Sequence, residues 1–299
     1  MKATATFALA LLLSAAVAQA APIDDALKSY ADGNFAAAYS TALPLAEAGD
    51  ARAMKLIGDL YRTGQAVAQD AQTAMAWYEK AAKAGNVNAK TAMALINLSG
   101  TVGDASYDTG VSLMRQAAEA NDPEAQFNMG LLARGAGGNP PDFAEAAIWF
   151  RRASDQGNIA ARYELGLLYL DGRGVEKNAV MAGQLLGEAA SAGNVDAMLD
   201  YGVLAMRGEG VKQDVKIGTQ WLLLAARRGN VIAQNRMARL YAAGMGVTAD
   251  PVEAQKWNII ASRAGRSDAE LDSLADKLTV AQRDEALSRA NAFVPETGK

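Results

Sequence analysis

Few residues of this chain are of a type that does chemistry, and their spacing narrows the field quickly. The chain has 299 residues with neither histidine nor cysteine. That removes Ser-His-Asp and Cys-His machinery, imidazole or thiolate zinc sites, and haem or iron–sulfur ligation by those side chains. No S-x-x-K and no G-x-S-x-G occurs, so acyl transfer through those serine motifs is excluded as well. The carboxylate pairs Asp24-Asp25 and Asp284-Glu285 lie in flanking segments and read as solvated surface. The pairs Arg151-Arg152 and Arg227-Arg228 read as solvated or snorkelling cations. Glycine-rich stretches at Gly172, Gly208 and Gly244 lack the G-K-[ST] ending of a phosphate loop and read as turns. Asn97-Leu98-Ser99 is a formal glycosylation sequon, but it falls inside a predicted helix. Lys plus Arg number 29 against 33 Asp plus Glu, a net charge of −4, whereas nucleic-acid binding asks for a basic face. The expectation is a protein that recognises rather than catalyses, with no cofactor, no metal and no nucleic acid.

The elements that carry these residues begin with an address. Met1-Lys2 is followed by an apolar run from Phe7 to Ala18, and Ala18-Gln19-Ala20 fits small-x-small cleavage. Cleavage after Ala20 gives a mature chain starting at Ala21. The apolar run is short for a membrane span, which takes about 20 residues, and no second one follows. Export without cysteine predicts a disulfide-free periplasmic protein that does not span the membrane after cleavage.

Beyond the leader, residues recur with a spacing of 36. Gly49, Gly85, Gly157, Gly193, Gly229 and Gly265 share one lattice, and Asn121 fills its gap. Both types tolerate a left-handed backbone. Two alanine columns keep the step, one from Ala53 to Ala233 and one from Ala81 to Ala261. All four tryptophans, Trp77, Trp149, Trp221 and Trp257, share a column, with Leu113 and Leu185 in its gaps. Asp or Asn follows each lattice position before Gly265, and a second column runs Asp70, Ser106, Asp142, Asn178, Asp214 and Asp250. These are helix N-cap residues, and Pro123 and Pro251 stand just behind two of them, at the favoured first helical position. Each unit therefore predicts two helices, roughly 51–63 and 71–84 in the first and repeated every 36 residues. The division expected is 1–20 signal peptide, 21–49 N-terminal cap or partial repeat, 50–265 six repeats, and 266–299 capping helices and tail. Ser267 is expected to start one capping helix and Thr279, in a capping box with Gln282, the next. The tail after Phe293 is expected to be disordered.

The pattern A-x-x-x-[LM]-G-x-L-Y-x-x-G, then G-V-x-x-D, then A-x-x-W-[YF]-x-x-A-A-x-x-G-[ND] resembles the Sel-1-like repeat, a relative of the tetratricopeptide repeat. Residues 166–178 and 202–214 carry its first half and 70–86 and 142–158 its second. The unit at 86–121 departs most, with Ala94 for Gly, Asn97 for Tyr and no Gly-Val in its loop. The resemblance implies an all-α, right-handed α-solenoid of about six helix-turn-helix repeats with capping helices at both ends. It also implies a scaffold or adaptor that holds a protein partner, and some bacterial members regulate envelope signalling, exopolysaccharide production or polar assembly. Cysteine-rich relatives are linked to β-lactam chemistry, but their paired cysteines are missing here.

Two faces of each first helix can be separated by spacing. Positions such as Ala53, Ile57 and Leu60 form a core stripe. Positions 55, 59 and 62 lie about 200° away around the helix. That second face is polar in the first and last units and apolar between, at Leu95, Leu98, Phe127, Leu131, Tyr163, Leu167, Leu170, Leu199, Val203 and Met206. By analogy with tetratricopeptide repeats it lines a concave groove for a peptide or helix. The competing reading is that neighbouring first helices bury it. A third reading, a peptidoglycan or polysaccharide binder, rests on Tyr163 as an exposed aromatic.

Overall fold

The computed structural model describes residues 23–101, 103, 106–138 and 140–296. The expected signal peptide lies outside them. The described residues are helical and contain no strand. After a short helix α1 (23–31) and α2 (Phe35–Glu47), six helix pairs follow. They are α3 (Ala51–Thr63) with α4 (Ala71–Lys83), α5 (Val87–Ser99) with α6 (Tyr107–Glu119), and α7 (Pro123–Ala133) with α8 (Phe143–Asp155). Then come α9 (Ile159–Asp171) with α10 (Ala179–Ser191), α11 (Val195–Arg207) with α12 (Val215–Arg227), and α13 (Val231–Ala243) with α14 (Pro251–Arg263). Two more helices, α15 (Ala269–Ala275) and α16 (Val280–Asn291), follow the array. The chain forms two compact parts that divide between Met129 and Gly130. In each, the core is built between consecutive helices.

Local chemistry repeats as faithfully as the columns do. The lattice residues adopt positive φ, +92° at Gly85 and +71° at Asn121. The residue after each closes a Schellman-type 6→1 bond: Asn86 N–H donates to the Ala81 carbonyl at 2.9 Å, and Asn230 N–H to that of Ala225 at 3.0 Å. The same residue then caps the next helix through its side chain, as Asn194 accepts from Ala197 N–H. Both alanine columns are fully buried, because a larger side chain there would hold the helices apart. The loop inside each repeat is tied back at its end. Asp70, Asp142, Asn178, Asp214 and Asp250 each donate a backbone N–H to a carbonyl near the end of the preceding helix. In the divergent second repeat the side-chain oxygen of Asn97 takes that place and accepts from Ser106 N–H at 3.2 Å.

Two terminal expectations change. Asp268, not Ser267, caps α15. Its carboxylate also accepts from Asn235 Nδ2 at 2.9 Å and Arg239 Nε at 2.8 Å, so it joins the last repeat to the end cap. The tail does not leave the surface at Phe293. That ring packs edge-on against Trp257, with centroids 5.4 Å apart, and Glu296 N–H bonds to the Arg227 carbonyl at 2.9 Å. Apolar contact plus one backbone bond fixes residues 293–296, which polarity alone does not reveal.

Candidate functional site

The apolar face expected for a partner is half-buried. In the part ending at Met129, Leu95 is 38% exposed, while Leu98 and Phe127 are half-buried. In the part beginning at Gly130, Leu131, Tyr163, Leu167, Leu170, Val203 and Met206 are half-buried, and Leu199 is down to 7%. The core stripe on the same helices is far more enclosed, with Leu165 and Leu168 at 3%. Two members have a packing duty inside their own repeat. A Cβ added to Gly110 would lie 2.8 Å from Leu98 Cγ, and one on Gly218 would lie 2.4 Å from Met206 Cγ. Leu98 and Met206 therefore fill the space that glycine opens in the second helix.

A charged row runs beside this face, outside the columns 55, 59 and 62. Glu164, Asp200 and Arg236 occupy equivalent positions one residue on from Tyr163, Leu199 and Asn235. The signal was a column that turns from Leu56 and Ala92 to charge in the later repeats. Tyr163 belongs to both rows. Its hydroxyl donates to Asp200 Oδ2 at 3.0 Å, joining α9 to α11. Burial, followed by the charge of Asp200, pushes the Tyr163 phenol pKa up. Burial also raises the Asp200 carboxyl, and Asp196 adds to this, while the Tyr163 bond and Arg236 pull it back. Glu164 is raised by burial too, against the opposing pull of its ion-pair partner Arg134. These carboxylates are costly to hold charged in a partly apolar site. A basic group on a partner would relieve that cost.

The first repeat closes the same face with polar bonds. Tyr78 hydroxyl donates to Asp59 Oδ1 at 2.8 Å, and Lys55 Nζ lies 2.7 Å from Asp59 Oδ2. Arg62 Nε reaches the Tyr78 oxygen at 3.2 Å. Asp59 is only 8% exposed, so it serves the interior and not a solvated rim. Among the other groups considered from sequence, Asp24 pairs with Arg52 and Glu285 with Arg289, and Arg152 lies over the Trp149 ring at 4.9 Å. Among the described residues no cluster of three or more carboxylates could hold a metal.

The glycine-rich loops are accounted for by packing. A Cβ on Gly174 would fall 2.1 Å from the Phe143 carbonyl carbon, and one on Gly210 would fall 1.9 Å from the Ala179 oxygen. Each loop thus backs directly onto the first turn of the previous repeat's second helix.

Comparison with known proteins agrees with this architecture. The chain matches the Sel1 repeat over residues 51–86, 87–122, 123–158, 159–194, 195–230 and 231–265. A Sel1 repeat protein from Oxalobacter formigenes is similar in structure, with a TM-score of 0.73 and 32% identity over 81% of this chain and 99% of that one. A protective antigen of uropathogenic Escherichia coli displaying an SLR fold is similar with a TM-score of 0.80 and 24% identity over 91% of this chain. The chain spans 60% of that protein's length. No curated protein is significantly similar in sequence. The repeat columns, the caps and these matches converge: the chain belongs to the Sel1 repeat family.

Proposed function

We propose that this protein is a protein-interaction scaffold of the bacterial periplasm that takes a peptide or helix along the first-helix face. Sel1 repeat proteins are generally protein-interaction scaffolds and typically non-enzymatic. The observation that carries the reading is the paired row in residues 130–299. Leu131, Leu167, Leu170 and Val203 are half-buried apolar side chains beside Glu164 and Asp200, which burial makes costly to charge. An amphipathic segment with a basic group could use both rows, since helices are read in grooves through apolar anchors at regular spacing. The periplasmic location rests on the leader sequence, and among the described residues no helix is long and apolar enough to cross a membrane.

The test is crosslinking in intact cells with the native protein and the Leu131→Glu and Leu167→Glu variants, followed by identification of captured proteins. A partner captured by the native chain and lost by both variants supports the reading. Capture indifferent to both substitutions overturns it. N-terminal sequencing of the envelope protein checks the location, with Ala21 expected and retention of Met1 in a membrane pellet refuting it.

A further inference from the structure

A repeat protein supplies its own controls, and one groove on the second-helix side departs from all of them. It runs along α10, has a volume of about 780 Å³ and is bounded by Tyr201 and Trp221. Position 187 is glycine, where the equivalent positions carry Glu79, Arg115, Arg151, Leu223 and Ile259. Position 201 is tyrosine, where the others are Ile57, Met93, Met129, Leu165 and Met237. The two changes fit each other, because a Cβ on Gly187 would lie 2.9 Å from Tyr201 Cε2. The tyrosine ring occupies room that a long side chain takes elsewhere. It meets Trp221 edge-on, with centroids 5.8 Å apart and planes at 90°. Trp77, Trp149 and Trp257 instead have a lysine or arginine over the ring at 4.3, 4.9 and 4.5 Å.

The groove also carries hydrogen-bonding groups without net charge. Arg162 and Glu188 pair with each other at 3.6 Å, and Gln184 Nε2 donates to Glu188 Oε1 at 3.0 Å. The Tyr201 hydroxyl and the Trp221 indole N–H make no hydrogen bond among the described residues and are not buried, so both stay open to a ligand. We infer that this groove binds a neutral oligosaccharide. A pyranose has an apolar C–H face and a rim of hydroxyls that both donate and accept. It asks for aromatic surface beside planar amide, carboxylate and guanidinium groups, which is the set assembled here. The balanced charge disfavours a phosphate or an acidic chain. The floor of small and polar residues, with Val180 and Val211 beside them, offers no row of large apolar sockets at the regular spacing that an amphipathic helix needs. This inference is independent of the proposed protein-binding face.

The test is titration of the full chain with chitotriose and with maltotriose, followed by tryptophan fluorescence and by heat. Two variants use residues the protein already places at equivalent positions, so the fold should tolerate them. Trp221→Leu copies Leu113 and Leu185. The double variant Gly187→Arg/Tyr201→Leu copies Arg151 and Leu165 and fills the groove. Saturable binding of either sugar by the native chain, weakened about tenfold or more in both variants at unchanged helix content, supports the inference. Absence of binding to both sugars up to about 10 mM, well into the range of weak specific affinity, overturns it. So does binding that both folded variants retain. Loss of a captured protein by the double variant, with neither sugar bound by the native chain, would make the groove a protein surface and likewise overturn it. Should the double variant fail to fold, Trp221→Leu alone decides.

Discussion

Replacing Gly210 with alanine separates two costs that the structure presents together. Gly210 has φ of +71°, and an alanine Cβ there would sit 1.9 Å from the Ala179 carbonyl oxygen. The backbone conformation alone costs a non-glycine residue about 1–2 kcal/mol. The overlap is with backbone, so α10 or the loop must shift, which adds about 1–3 kcal/mol. Alanine also narrows the unfolded ensemble, which returns about 0.4–1 kcal/mol. The expected net loss is therefore about 2–4 kcal/mol. Gly157→Ala provides the comparison within the same compact part. Its φ is +87° and nothing lies within 4 Å of the added carbon, so only the conformational cost applies, about 1 kcal/mol net. Urea unfolding followed by circular dichroism measures the difference, and hydrogen exchange at the first turn of α10 locates it, because repeat arrays can open locally. Equal losses for the two variants would refute the claim that the loop glycines are packing devices. Ala66 shows that alanine can hold this backbone conformation, with φ of +65° at the equivalent loop position of the first repeat.

Leu165→Glu should cost several kcal/mol, on the order of a large core defect, while Leu167→Glu two residues away should cost about 1 kcal/mol or less. Thermal melts of the pair decide whether position 167 is core. Tyr78→Phe leaves the buried Asp59 with one donor fewer and should destabilise by about 1–3 kcal/mol, read from urea unfolding. Asp200 has a folded-state pKa raised by burial, so its contribution to stability is present below the unfolded carboxylate pKa and lost as pH rises through the folded value. Asp200→Asn should remove that decline, so the variant gains on the native protein between acid and neutral pH in a series of melts. An unchanged pH profile would contradict the assignment.

Sequence made the array legible because its signals are local. A cap, a stop and a small residue each act within one turn of helix or against one neighbour, so a column read down the chain predicts them. Asn121 stood in the glycine lattice and adopts the left-handed backbone expected of it. What escaped depends on residues distant in sequence. Asp59 stands at the polar end of the face, and Tyr78, 19 positions on, draws it inside. Leu98 and Met206 lie on the expected groove face, and glycines at 110 and 218 also give them a seat in their own repeat, which their own columns do not reveal. The charged row was visible as a column, but burial of Glu164 and Asp200 was not. Asp268 took the capping role from Ser267 because Asn235 and Arg239 reach it from the last repeat.

The seam between repeats has a consequence for how such a chain can change its length. At each junction before the last, one residue both ends the old helix, through its backbone N–H, and starts the new one, through its side chain, as Asn194 and Asn230 do. Cutting at one such residue and rejoining at the next leaves the same chemical join, so whole units of 36 residues are interchangeable currency for recombination while fractions are not. The last junction differs, since Arg266 closes the old helix and Asp268 caps the new one, its carboxylate held by Asn235 and Arg239 of the last repeat. Growth or shrinkage of the array is thereby confined to the interior, and the terminator travels together with the last repeat, whose Asn235 and Arg239 hold it.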